Sequence, residues 1–214
     1  GSPSPTGSRS PPESTPEPQA SPKSRGGSPT STASAASRTG AELKALVERP
    51  EDVFAAAPHE ALVFGVTRSR GSSAQIEPEF QEKHCLVSGA LNETVLRKQL
   101  ALSGVAIACR KGKKPSQPNQ DNYFYCQTEG FILCGVADGH GEYGHWVSQW
   151  CVKLACRLMM AEVSEKGSLP KNEALADMFD AAHRLVVHCA EVERWDVGLS
   201  GSTLSLCALD RRGG

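Results

Sequence analysis

Apolar positions in the 214-residue chain follow two different periods. Short apolar runs bounded by turn residues mark strands, and apolar residues recurring every three or four positions mark helices. "DNYFYCQ" (121–127) and "FILCGVAD" (131–138) predict two strands, joined as a hairpin through Thr128-Glu129-Gly130. The unbroken apolar run in "FILCGVA" predicts a strand covered on both faces. Upstream, "HEALVFGVT" (59–67) and "GVAIACR" (104–110) read as strands, and "STLSLCALD" (202–210) reads as a later one.

Helical spacing begins after Gly144. Trp146, Val147, Trp150, Cys151, Leu154, Ala155, Leu158 and Met159 form one apolar face. A second helix follows over 171–194 with Leu175, Met178, Phe179, Ala182, Val186 and Cys189, and Gly167 and Pro170 separate the two. "LNETVLRKQL" (91–100) is a shorter helix with Asn92 as its cap. "GAELKALVERPEDVF" (40–54) predicts another that Pro50 stops or bends. The sum is a mixed α/β layout, and the hairpin favours antiparallel pairing.

Composition changes sharply before residue 41. Residues 1–40 hold no Val, Ile, Leu, Met, Cys or aromatic residue. Such a segment cannot offset its ordering entropy by burial, so it reads as a disordered Ser/Pro-rich tail. Ser-Pro or Thr-Pro steps begin at Ser2, Ser4, Ser10, Thr15, Ser21 and Ser28. A phosphorylated regulatory tail and a plain solvated linker both fit them. Residues 41–103 form an extension or the start of a domain, and residues 104–214 form the domain proper.

Charge and cysteine usage narrow the class. A net charge of −1 gives no bulk attraction to nucleic acid or an anionic membrane, and neither partner is expected. No run approaches the roughly 18 apolar residues of a membrane span. The eight cysteines include no C-x-x-C pair, and most sit in apolar segments such as "FILCGV". That placement suits reduced, buried thiols in a cytoplasmic or nuclear setting, although an even count leaves disulfides open.

The chemistry gathers at "GVADGHGEYGHWVSQW" (135–150). Asp138 follows a buried strand, so its carboxylate is held rigidly at a strand end. Gly139 permits close backbone approach and offers a carbonyl to a hard cation. His140 stands beside it. Asp121 opens the preceding strand, and an antiparallel hairpin brings both acids to one edge of the sheet. Carboxylates there suit Mg²⁺ or Mn²⁺. The basic loop Arg110, Lys111, Lys113 and Lys114 lies just upstream and supplies charge for an anionic substrate. Spacing alone favours a solvated turn and a solvated loop over a site.

"PNQDNYF", "GVADGHGEYGHWVS" and "LSGSTLSL" together resemble, in order and spacing, the metal-dependent PP2C-type (PPM) protein serine/threonine phosphatases. The resemblance covers about residues 104–210. It implies a β-sandwich flanked by helices in α-β-β-α layers. It also implies two Mn²⁺ or Mg²⁺ ions bridging a hydroxide that attacks a phosphoserine or phosphothreonine of a phosphoprotein substrate. By motif, Asp138 corresponds to the carboxylate bridging both metals and Gly139 to the carbonyl ligand. His140 corresponds to the general acid, and Asp121 to the aspartate of an acidic pair.

Three departures stand out. Gln120 occupies a position where the family often has Glu, which leaves it a contact to metal-bound water. The family's phosphate-gripping arginine has Ser116 near its place, so Lys114 or Arg110 would substitute, with a lysine gripping less directionally. Two later metal-binding aspartates have no counterpart, so the implied domain is incomplete at its C-terminal side. The rival expectation is therefore an inactive pseudophosphatase or fragment serving as an interaction module. Zinc pairs drawn from His140 and His145, or His183 and His188, diverge on a helix at their five-residue spacing. A phosphate-cradling loop after a cysteine and a Walker-type loop are both absent. Oligomeric state is not legible.

Overall fold

The hairpin at 121–140 is the centre of the molecule. The computed structural model describes residues 59–67, 80–88, 92–113 and 117–213. The tail over 1–40 and the helix expected over 40–54 lie outside the described residues. In order, the elements are β1 (Ala61–Gly65), β2 (Cys85–Val87), α1 (Glu93–Leu102), β3 (Asp121–Gln127) and β4 (Phe131–His140). They continue with α2 (Gly144–Lys166), α3 (Asn172–Glu193), β5 (Gly201–Ser202) and β6 (Ser205–Asp210). This is a mixed α/β fold with one antiparallel sheet and, among the described residues, three helices.

The sheet runs β2-β1-β3-β4, and β4 carries both β5 and β6 on its far edge. Every pairing is antiparallel. Thr128 closes the β3–β4 turn by accepting from the Phe131 N–H. Residues 61–65 and 85–87 thus lie in the same sheet as the motif-bearing hairpin.

Side-chain alternation explains the two cores. Phe124 and Cys126 of β3 join Leu62, Phe64, Leu133 and Ala137 beneath α2 and α3. Tyr123 and Tyr125 face the other way, against Ala61, Val63, Leu96 and Leu100 of β1 and α1. A fully buried Leu or Phe of this kind contributes about 1.5–3 kcal/mol. Helix α2 is buried on more than its expected face: Val152, Cys156, Met160 and Val163 are buried along with the predicted residues other than Trp146 and Cys151, which are partly buried. It lies between the sheet and α3, so one apolar stripe does not suffice. Gly167, at φ 62°, ends it in the left-handed conformation. Asn92 caps α1, its side-chain oxygen accepting from the Val95 N–H at 2.9 Å.

Two expectations need correction. Strand β4 is not covered on both faces along its length. Phe131, Leu133, Gly135, Ala137 and Gly139 are buried, but Val136 is 59% exposed, and Asp138 and His140 are open. Helix α1 and its neighbours cover the opposite face only over β1, β3 and the start of β4. "GVAIACR" is also not a ladder strand. Val105, Ile107 and Cys109 pack by their side chains against the second core. The segment's backbone meets 80–83 through bonds such as Lys83 N–H to the Cys109 carbonyl at 2.6 Å. Its strand-like alternation is satisfied by that packing alone.

Candidate metal and phosphoryl-transfer site

The hairpin register sets Asp121 directly opposite Asp138. Opposed residues of an antiparallel pair send their side chains to the same face, with Cβ atoms about 4.5–5.5 Å apart. Both acids are exposed, and both lie at the end of the sheet where the chain leaves for α2. The expected gathering of the two acids is therefore present.

A cleft of about 810 Å³ opens there, lined among the described residues by Gln117, Pro118, Gln120, Asp138, Gly139, His140, Gly141 and Glu142. Asp121 stands just beside that lining. Arg110 does not line it; it is exposed and forms an isolated bridge with Glu82. Lys114 and Ser116 lie outside the described residues.

Steric necessity accounts for the glycines. A Cβ on Gly139 would fall 2.1 Å from the Gly144 carbonyl oxygen and 2.7 Å from that of Gln120. The backbone at Gly139 is packed so closely between helix start and strand entry that no side chain fits. Gly141 takes φ +82°, and a Cβ there would meet the Leu199 carbonyl at 2.2 Å. The turn is thus folded onto β3 on one side and onto the 199–201 segment on the other.

Hydrogen bonds fix the same turn. Thr203 grips Asp138 twice: its N–H donates to the Asp138 carbonyl at 2.9 Å, and its hydroxyl accepts from the Asp138 N–H at 3.0 Å. Gln120 donates its amide to the Gly141 carbonyl at 2.5 Å. That bond turns Gln120 into a brace for the turn. Ser200 accepts from the Tyr143 N–H at 3.0 Å, serving an orphan donor at the start of α2. The His140 ring lies over Gly201, where a Cβ would come within 2.6 Å of Nε2.

Behind the acids is a buried polar cluster that the sequence did not announce. Lys83 is buried and donates from Nζ to Thr67 Oγ1 (3.3 Å), the Asn119 carbonyl (3.0 Å) and the Asp121 carbonyl (2.5 Å). Asn122 donates to Ser148 Oγ at 2.7 Å and Thr67 Oγ1 at 3.2 Å. Ser148 Oγ donates to the Gln120 carbonyl at 2.5 Å. Thr67 N–H donates to Gln149 Oε1 at 2.9 Å. Burial first, and then the Lys83 charge, push the His145 imidazole down to about 4. The only hint in sequence is polar residues beside apolar strands, which reads equally well as solvation.

The donor set suits a hard divalent cation in kind, since two carboxylates and a backbone carbonyl are all oxygen ligands. Opposed like charges are also destabilising until a counter-charge joins them. Among the described residues, no group of three His, Cys, Asp or Glu gathers that could hold a metal.

Comparison with known proteins points to one family. A sequence model of the Protein phosphatase 2C family matches residues 111–214. Over 48 residues the chain is 42% identical to "Probable protein phosphatase 2C 48" of Oryza sativa subsp. japonica. That match covers 21% of this chain and 13% of the rice protein, so the chain matches only a small share of that relative's length. No solved structure matches the chain. The cleft, the glycine turn and the Thr203 clamp all fall within the matched residues, and the two comparisons support a PP2C-type phosphatase domain over 111–214.

Proposed function

We propose that the cleft hydrolyses phosphoserine and phosphothreonine esters of phosphoproteins, with two Mn²⁺ or Mg²⁺ ions held at the Asp121–Asp138 strand ends. The hairpin register carries this reading, because it opposes two carboxylates beside a backbone too tightly packed for any residue but glycine. Asp121, Asp138 and the Gly139 carbonyl would hold the cations from the sheet side, with water completing the shell, as Mg²⁺ readily accepts. Bound there, the cations supply Lewis-acid polarisation of the phosphoryl oxygens and acidify a water.

The chain's own groups do the rest. Thr203 fixes the backbone of Asp138 from both sides and so aims its carboxylate. Water attacks phosphorus, the phosphorus–oxygen ester bond breaks, and His140 gives a proton to the departing serine or threonine oxygen. Gln120 keeps the turn that bears His140 in place. Arg110 lies outside the cleft lining and is assigned no grip on the phosphate. For the wider fold we propose the layered α-β-β-α sandwich of the family, of which the α2–α3 face over one sheet is the described part. A cytoplasmic or nuclear setting is part of the proposal, on the placement of the cysteines in apolar segments.

The test is Mn²⁺-dependent phosphate release from a phosphothreonine peptide by the 214-residue chain. Asp138→Ala should cost more than the roughly 10–100-fold that outer-sphere partners cost. A folded, soluble chain releasing no phosphate would sink the hydrolytic reading in favour of a non-catalytic interaction module.

A further inference from the structure

We infer that Lys83 is a positioning residue for the carboxylate pair, acting through the backbone of the 119–121 strand entry. The inference rests on reading the cleft as a divalent-cation site. Lys83 is 5% exposed, and its ammonium group donates to two backbone carbonyls of that entry, at Asn119 and Asp121. Its third bond, to Thr67 Oγ1, ties the entry to the end of β1. Burying an ammonium is costly unless its donors are satisfied, so three oxygen partners make one defined geometry strongly preferred.

Neighbouring bonds tie the same strand entry to Lys83 through Cys109. Asn119 Oδ1 accepts from the Asp121 N–H at 3.1 Å, and Asn119 Nδ2 donates to Cys109 Sγ at 3.5 Å. The Lys83 N–H is itself held by the Cys109 carbonyl. The strand entry is thus caged from beneath. What the cage fixes is the start of β3, and with it the register that opposes Asp121 to Asp138. Lys83 and Thr67 both precede residue 111, outside the stretch that the family model matches. The segment before the matched residues therefore supplies the support for the metal-facing acids.

The sign of one measurement separates positioning from plain charge. Removing a cation near a cation site strengthens metal binding if only electrostatics matter. Removing a brace weakens it, by roughly 10–100-fold for groups behind a ligand. Mn²⁺ affinity of the 214-residue chain would be read by titration calorimetry and by Mn²⁺ electron paramagnetic resonance, alongside a thermal melt. Lys83→Met should melt cooperatively and bind Mn²⁺ at least about tenfold more weakly than the parent. If Lys83→Met does not melt cooperatively, Lys83→Gln, which keeps a polar donor, is read by the same criterion. Unchanged or tighter binding in the folded variant overturns the positioning role while leaving the metal site standing. Failure of the parent chain to bind Mn²⁺ at all overturns the metal reading, and this inference with it.

Discussion

Gly201 shows how one absent side chain serves a functional one. The His140 ring occupies the space a Cβ would need, and the clash falls on the far end of a movable ring. Gly201→Ala should therefore displace His140 with little change in melting temperature. If His140 is the proton donor, kcat should fall while KM for a phosphopeptide holds. A variant that melts early, or one with unchanged kcat, would refute this account of Gly201. Asp138, Gly139 and His140 were legible in sequence because their types are chemically loaded and adjacent. Lys83 and Thr67 were not, because they meet the strand entry from 36 and 55 positions away. No local pattern marks a lysine as buried.

At the scale of elements, the start of α2 carries a built-in acid lability. His145 sits one residue into that helix, where the dipole already disfavours positive charge. Its Nδ1 is buried with no hydrogen-bond partner, and its imidazole titrates near 4 instead of 6.5. The unfolded chain therefore takes up the proton first. The stability His145 contributes is complete above pH 6.5 and is lost as pH falls toward 4. Melting temperature should drop between pH 7 and pH 5, and His145→Gln should flatten part of that drop. An identical pH profile in the variant would assign the lability elsewhere. Strands and helices were legible where period and turn chemistry agreed, as in the β3–β4 hairpin. They were misjudged where an alternating run such as Val105, Ile107 and Cys109 satisfied its pattern by packing without a ladder. The exposure of Val136 was equally hidden, since an apolar run records what a strand can bury and not what covers it.

For the whole molecule, cation binding at the opposed acids, as proposed, would make folding and binding one equilibrium. A ligand that binds only the folded state stabilises it by about 2.7 kcal/mol at a hundredfold excess over Kd. Mn²⁺ should raise the melting temperature of the chain, chelation should reverse the rise, and Asp138→Asn should abolish it. A melting temperature indifferent to Mn²⁺ would count against cation binding at the strand ends. No described helix is long and apolar enough to cross a membrane. The sequence made the sheet's centre and the acid pair readable. It showed β1 as a strand within 59–67 but neither β2 nor the pairing of the two, because that pairing is settled by contacts distant along the chain.

The Thr203 clamp on Asp138 also imposes an order of assembly. The β3–β4 hairpin and the α2–α3 pair close over short sequence distances, whereas the clamp joins residues 65 positions apart. Long-range closures of this kind come late in folding because chain entropy must be given up before the contact forms. On that order, the expected sequence of events is register of the two acids first and docking of the strand that clamps Asp138 afterwards. Until residues 201–203 dock, the acids are paired but not yet fully positioned.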